Sequence, residues 1–153
     1  MKIFDCFMYF DEDIVLDVRL NFLNNYVDKF IIVESEYNHK GEKRSPRFDI
    51  NKFLKFKDKI IYILTKDTPE NIEPIESSDN PDEVYRKSIF NAWKRENLQR
   101  NSILEGLKDV GLDDWILISD LDQIPNLWEI NFKKFREKII LFKQDMMYYR
   151  FNL

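Results

Sequence analysis

Asp120-Leu121-Asp122 is the segment of this chain best equipped for chemistry. It follows an apolar run, Trp115-Ile116-Leu117-Ile118, and precedes Gln123-Ile124-Pro125. The run predicts a strand over 115–119 buried on both faces, as in a parallel sheet. In open α/β sheets, ligand sites lie at the carboxyl ends of such strands. Carboxylates at i and i+2 of an extended chain face the same side. They would form a hard-oxygen site suited to Mg²⁺ or Mn²⁺, and a cation held there would neutralise a diphosphate.

A second signal lies on a predicted helix from Pro81 to about Lys108. At helical spacing Tyr85, Ile89, Ala92, Trp93, Ile103 and Leu107 form an apolar stripe, and Glu96 and Arg100 fall within it, one turn apart. A charge pair on an apolar face needs partners, because an uncompensated buried charge is costly. Two readings stay open: a buried structural salt bridge, or a polar pocket cut into the core. Gln99 and Asn101 flank the pair. The third signal is His39, the single histidine, in a segment that begins with Glu34 at the end of a predicted strand. That end is the same sheet edge as Asp120. The basic stretch 40–47 is a candidate phosphate contact. No Walker loop, Gly-rich dinucleotide turn, zinc motif or Ser-His-Asp order is present.

Elements must position these residues. Strands are expected over 2–10, 29–33, 59–64, 115–119, 139–142 and 147–151. Helices are expected over 12–26, with Ile14, Val15, Val18, Leu20, Phe22 and Leu23 as apolar positions, and over 51–56, 81–108 and 127–136. Two loops, 37–48 and 65–82, are long, and long loops are often functional. The alternation predicts an α/β fold with a mainly parallel sheet flanked by helices. With 153 residues, 44% of them hydrophobic and 15% aromatic, the chain reads as a single domain with a sizeable core. A net charge of −4 gives no bulk attraction to nucleic acid. The single cysteine, Cys6, rules out an internal disulfide and reads as a small core residue. No membrane span or signal segment is read from the sequence, which implies a cytoplasmic location, at most peripheral to a membrane.

The ordered set of motifs resembles glycosyltransferase family 17, the family of the bisecting N-acetylglucosaminyltransferase. The resemblance rests on Asp5-Cys6-Phe7 and Phe10, on Val27-Asp28-Lys29-Phe30 leading to Val33-Glu34-Ser35, and on His39-x-Gly41. It continues through Trp93-x-Arg95-Glu96-x-x-Gln99-Arg100-Asn101 and Ile118-Ser119-Asp120-Leu121-Asp122-x-Ile124-Pro125-Asn126. It implies a GT-A-like nucleotide-sugar-binding fold and an Asp-x-Asp that holds a metal–diphosphate. The implied reaction is metal-dependent, inverting transfer of a sugar such as N-acetylglucosamine from a nucleoside-diphosphate donor, UDP-N-acetylglucosamine among the candidates, to a glycan hydroxyl. Asp122 and Asp120 would bind Mn²⁺ or Mg²⁺, with Asp120 also a donor contact. Glu96 and Arg100 would build the donor pocket, and Glu34 and His39 would lie at its edge. Two departures stand out. Gln123 occupies a position where the family carries Glu. The chain also stops at Leu153, where family members continue, so the acceptor side and the catalytic base are expected to be missing. Met146, Met147, Tyr148, Tyr149 and Phe151 would then form an exposed patch that drives self-association. The alternative from another class is a non-catalytic remnant that binds a nucleotide sugar or a partner chain without turnover. A metal-dependent phosphohydrolase is a further rival, but it lacks the additional ligands of two-metal sites.

Overall fold

The computed structural model describes residues 1–144. Four parallel strands form one sheet: β1 (Ile3–Met8), β2 (Lys29–Ser35), β3 (Ile60–Thr65) and β4 (Trp115–Ile118), in the order β3-β2-β1-β4. Helix α1 (Asp13–Leu23) connects β1 to β2, and α2 (Pro81–Asn101) lies between β3 and β4. The chain therefore winds outward from β1 to β3, then returns to place β4 on the other side of β1. That reversal creates a switch point between β1 and β4, where open α/β sheets form a crevice at the carboxyl ends of their strands. The expected α/β architecture and parallel sheet are both present.

Each sheet face has its own core. On one, Ile3, Phe7, Phe30, Ile32 and Leu117 pack with Leu16, Leu20 and Leu23 of α1 and with Phe53 and Phe56 of a 3₁₀ turn (Ile50–Phe56). On the other, Phe4, Cys6, Ile31, Val33 and Ile63 pack with Ile103 of a second 3₁₀ turn (Ser102–Gly106). Cys6 is buried there, and burial raises its thiol pKa well above the ordinary range. Gly106 permits this turn to sit on the sheet, since a Cβ at this position would lie 2.8 Å from Ile31 Cγ2.

The inward face of α1 differs from expectation. Leu16, Arg19, Leu20 and Leu23 are buried, whereas Ile14, Val18 and Phe22 point to solvent. Arg19 is fully buried against Asp5, which is also fully buried, with bidentate bonds of 2.8 and 2.7 Å, and its guanidinium lies 4.5 Å from the Phe7 ring centroid. Among the described residues, Asp5–Arg19 is therefore the ion pair with both side chains fully buried.

The predicted apolar stripe divides: Ile103 in the 3₁₀ turn after α2 and Leu107 at that turn's C-cap reach the core, but its positions on α2 itself form no core face. Tyr85, Ile89 and Trp93 are 70%, 48% and 58% exposed, and Asn91 is the helix's buried residue. The reason is that α2 meets the sheet near its C-terminal end, through Gln99 and the 3₁₀ turn after it. The α-helix ends at Asn101, short of Lys108; the Ser102 hydroxyl donates to Leu98 O and accepts from Thr65 Oγ1. The loop between β3 and α2 is strapped along the helix. Asn91 exchanges two hydrogen bonds with the Glu73 backbone, Lys94 pairs with Glu73 and Lys87 with Asp79. Asn80 and Glu83 close a capping box at the helix start.

Among the described residues β4 is an edge strand, buried on one face only. Leu117 faces the α1 core, while Ile116 and Ile118 are 40% and 58% exposed because α2 does not reach over them. The helix expected over 127–136 is replaced by turns and a short 3₁₀ segment (Phe132–Lys134). Asn126 and Asn131 side chains accept from backbone amides there, and Phe132 packs against Trp115 with the rings tilted and their centroids 5.3 Å apart. Residues 139–142 form no strand pairing. The strand expected over 147–151 lies outside the described residues. No helix among the described residues is long and apolar enough to cross a membrane.

Candidate functional site

A cleft of about 380 Å³ opens at the switch point. The exit of β1 supplies Met8, Tyr9 and Phe10, the start of α1 supplies Glu12 and Val15, the loop after β2 supplies His39, and α2 supplies Gln99. The segment after β4 supplies Asp120, Leu121 and Asp122. This is where the topology predicts a ligand.

The Asp-x-Asp segment is not extended. β4 ends at Ile118 and the chain turns, with Gln123 N donating to Asp120 O and Ile124 N to Asp122 O, both at 3.0 Å. Leu121 is driven into the core, and the side chains of Asp120 and Asp122 remain exposed on the cleft. The two carboxylates thus share the cleft through a turn rather than through strand alternation. Gln123 has a definite role in that turn: its amide contacts both the Asp120 backbone N–H and the Asp120 carboxylate, each at 3.3 Å. A neutral side chain at this position satisfies Asp120 without adding charge.

Arg100 and Glu96 lie beside the cleft rather than within it. Their contact is an i, i+4 pair at 2.8 Å, with side chains 42% and 32% exposed. The expected placement on a buried face does not occur, since that face of α2 is open. Arg100 also reaches the Asp120 carboxylate, at 3.4 Å. The topology therefore brings together two signals separated by 20 residues in sequence.

Glu34 sits behind the cleft and is fully buried. Its carboxylate accepts from Arg47 N, Phe48 N and Tyr62 OH, and pairs with Arg44 at 3.1 Å. It anchors the loop that follows β2. Burial, then the bond to Glu34, raises the Tyr62 phenol pKa above its ordinary value. Arg44 lies 3.8 Å over the Phe10 ring and donates to the Phe10 carbonyl, while Lys43 pairs with Glu36. These two cations of the basic stretch are thus engaged within the protein.

His39 is exposed on the rim. Its backbone carbonyl accepts from Arg95 Nη1 at 3.0 Å, and the hairpin around it closes by a bridge between Tyr37 and Lys43. Gly41 adopts φ +88° and presses on the Arg95 guanidinium. Gln99 spans the floor by donating to Val33 O at 2.9 Å.

Three contributors were not singled out from sequence: Arg19, Phe10 and Arg95. Arg19 left a trace, since it occupies the centre of the Leu16, Leu20, Leu23 face. The other two lie within family-like motifs but gave no signal of their own.

Among the described residues, no group of three or more His, Cys, Asp or Glu side chains is placed to hold a metal. Asp120 and Asp122 are two hard-oxygen donors with open surroundings. That donor set suits a cation that shares its coordination with substrate phosphates and water, as Mg²⁺ commonly does.

A parallel sheet with a cleft at its switch point and acidic side chains at the cleft mouth defines an α/β protein. Against known families, the model of glycosyltransferase family 17 matches residues 1–151, and the chain belongs to that family. No curated protein matches the chain, and no solved structure does. Family membership makes it a sugar transferase, with a sugar donor and an acceptor as partners.

Proposed function

We propose that the chain takes a nucleoside-diphosphate sugar in the switch-point cleft and transfers the sugar, N-acetylglucosamine being the leading candidate, to a hydroxyl of a glycan acceptor. The observation that carries this reading is the placement of Asp120 and Asp122 at the cleft mouth in a family 17 chain. These two carboxylates would hold Mn²⁺ or Mg²⁺. When bound, such a cation offsets the charge that builds on the departing diphosphate.

The remaining chemistry belongs to the chain itself. Arg100 uses one N–H on Glu96 and a long contact on Asp120, which leaves donors for an anionic oxygen beside the rim. The Asp120 contact is long and half-exposed, so it yields readily to a stronger partner. Phe10 and Tyr9 give the cleft an apolar wall at the end of β1, and His39 stands on its rim. Tyr9 is held by its own bond to Asp13 at 2.7 Å, which fixes that wall.

Calorimetry with UDP tests the reading. Binding is expected with Mn²⁺, and is expected to be largely lost with EDTA or in Asp122→Asn. Equal affinity in all three conditions would overturn the metal assignment. Donor hydrolysis and transfer, measured beside binding, separate an enzyme from a binding remnant: UDP-sugar binding without either turnover favours the remnant.

A further inference from the structure

We infer that Arg19 is a positioning residue that holds the Asp120 and Asp122 carboxylates in a metal-ready arrangement from inside the core; this inference rests on the reading that those carboxylates bind a divalent cation. The guanidinium is fully buried, yet its Nε and Nη2 reach Asp5 at 2.8 and 2.7 Å. Nη2 also donates to Ser119 Oγ at 2.7 Å. Nη1 is shared among the carbonyls of Asp120 at 2.7 Å, Leu121 at 2.9 Å and Gln123 at 3.3 Å. Every N–H of the group is thereby used, which a buried guanidinium requires.

These bonds fall on a segment that the sheet does not hold. The β1–β4 ladder ends with Cys6 opposite Ile118, and the next contact, Ser119 N to Cys6 O, is 3.4 Å. Beyond it, one side chain gathers the carbonyls of residues 120, 121 and 123. The Ser119 hydroxyl donates in turn to Gln123 O at 3.1 Å, closing the turn. With the carbonyls turned inward and Leu121 buried, the side chains of Asp120 and Asp122 face the cleft. Stability alone does not call for charges here, because apolar residues at both positions 5 and 19 would pack without desolvating an ion pair. The planar, five-donor fork supplies what an apolar side chain or an ammonium cannot: simultaneous bonds to a carboxylate and to a curled backbone. Ligands ordered in advance bind a cation without first losing their own freedom.

The test uses Arg19→Lys and Ser119→Ala, with Mn²⁺ alone as the probe, followed by electron paramagnetic resonance of the free ion. Amide hydrogen exchange over 119–124 provides a readout that does not depend on metal. Arg19→Lys is expected to weaken Mn²⁺ binding by about ten-fold or more, as loss of an outer-shell partner commonly does. Exchange over 119–124 should rise while β1 and β2 stay protected. Ser119→Ala leaves the Asp5 pair intact and should weaken Mn²⁺ binding roughly three-fold, the effect of one hydrogen bond. Should Arg19→Lys not fold, the serine variant decides alone. Unchanged Mn²⁺ affinity and unchanged local exchange in the folded variants would overturn the inference. Asp122→Asn, run in parallel, reports on the metal reading itself. If the parent binds Mn²⁺ and Asp122→Asn does not, that reading stands whatever the Arg19 variants do. If the parent binds no Mn²⁺, that reading fails, and with it the claim that Arg19 prepares a metal site.

Discussion

At the scale of single residues, the half-exposed Glu96–Arg100 pair leads to a definite expectation. An exposed i, i+4 pair is worth about 0.2–1 kcal/mol, far less than a buried one. Arg100→Ala should therefore change stability by less than ~1 kcal/mol, while weakening UDP binding roughly ten-fold through the loss of a charged hydrogen-bond donor. Urea melts beside calorimetry check this; a large stability loss with unchanged binding would make Arg100 a structural residue. The sequence signalled Arg100 and Asp120 separately, since each belongs to a short local pattern, and their meeting at 3.4 Å needed the topology. Arg19 was passed over for a related reason. An arginine on an amphipathic helix reads as a solvated charge, and its loop partners lie about 100 residues away in sequence. Glu34 shows the opposite case. Its place at the end of β2 drew attention, but its carboxylate is occupied by the loop it anchors and by Tyr62 of β3.

At the scale of elements, β2, β3 and β4 were legible because each carries a contiguous apolar run, and β1 because apolar residues flank its one acid, Asp5. The faces of the helices were less so. On α1 and α2, apolar side chains that fit a helical period point outward, at Ile14, Val18 and Phe22 and at Tyr85, Ile89 and Trp93. Periodicity reports that a stripe exists, not which neighbour covers it. Residues 127–136 mimic a helix because Leu127, Ile130 and Phe132 pack inward one by one, between turns closed by asparagine side chains. The hairpin carrying His39 yields the element-scale prediction. A Cβ on Gly41 would lie 2.5 Å from Arg95 Nη2, in a backbone conformation that only glycine takes easily. Gly41→Ala should cost about 1 kcal/mol or more in a urea melt and should loosen the hairpin over the cleft. A variant as stable as the parent would show that Arg95 and Gly41 are not coupled.

At the scale of the whole molecule, exposed apolar side chains run along α1, along α2 and over Ile116 and Ile118 at the sheet edge. Surfaces of that extent favour association. Light scattering is expected to show species larger than a monomer, and Trp93→Lys combined with Ile89→Lys should reduce them; a strictly monomeric parent would remove this expectation. The same molecule should also be sensitive to alkali, and here the sign follows from three acids, Cys6 and Tyr9 buried and Tyr62 partly buried. Cys6, Tyr9 and Tyr62 all have pKa values raised above their ordinary 9.0 and 10.0, chiefly by burial. For the two tyrosines, hydrogen bonds to Asp13 and Glu34 add to the effect. Below the ordinary values, folded and unfolded chains hold these protons equally, and the contribution to stability is fully present. As pH rises beyond them, the unfolded chain releases protons that the folded chain still keeps, so stability falls. Urea melts from about pH 8 to about pH 11 should show that decline, with a slope of roughly one proton per group. Tyr62→Phe should make the decline shallower by one such step, even though it removes the bond to Glu34 and lowers stability near neutrality. An unchanged slope in that variant would mean that Tyr62 titrates in the folded chain as it does in water.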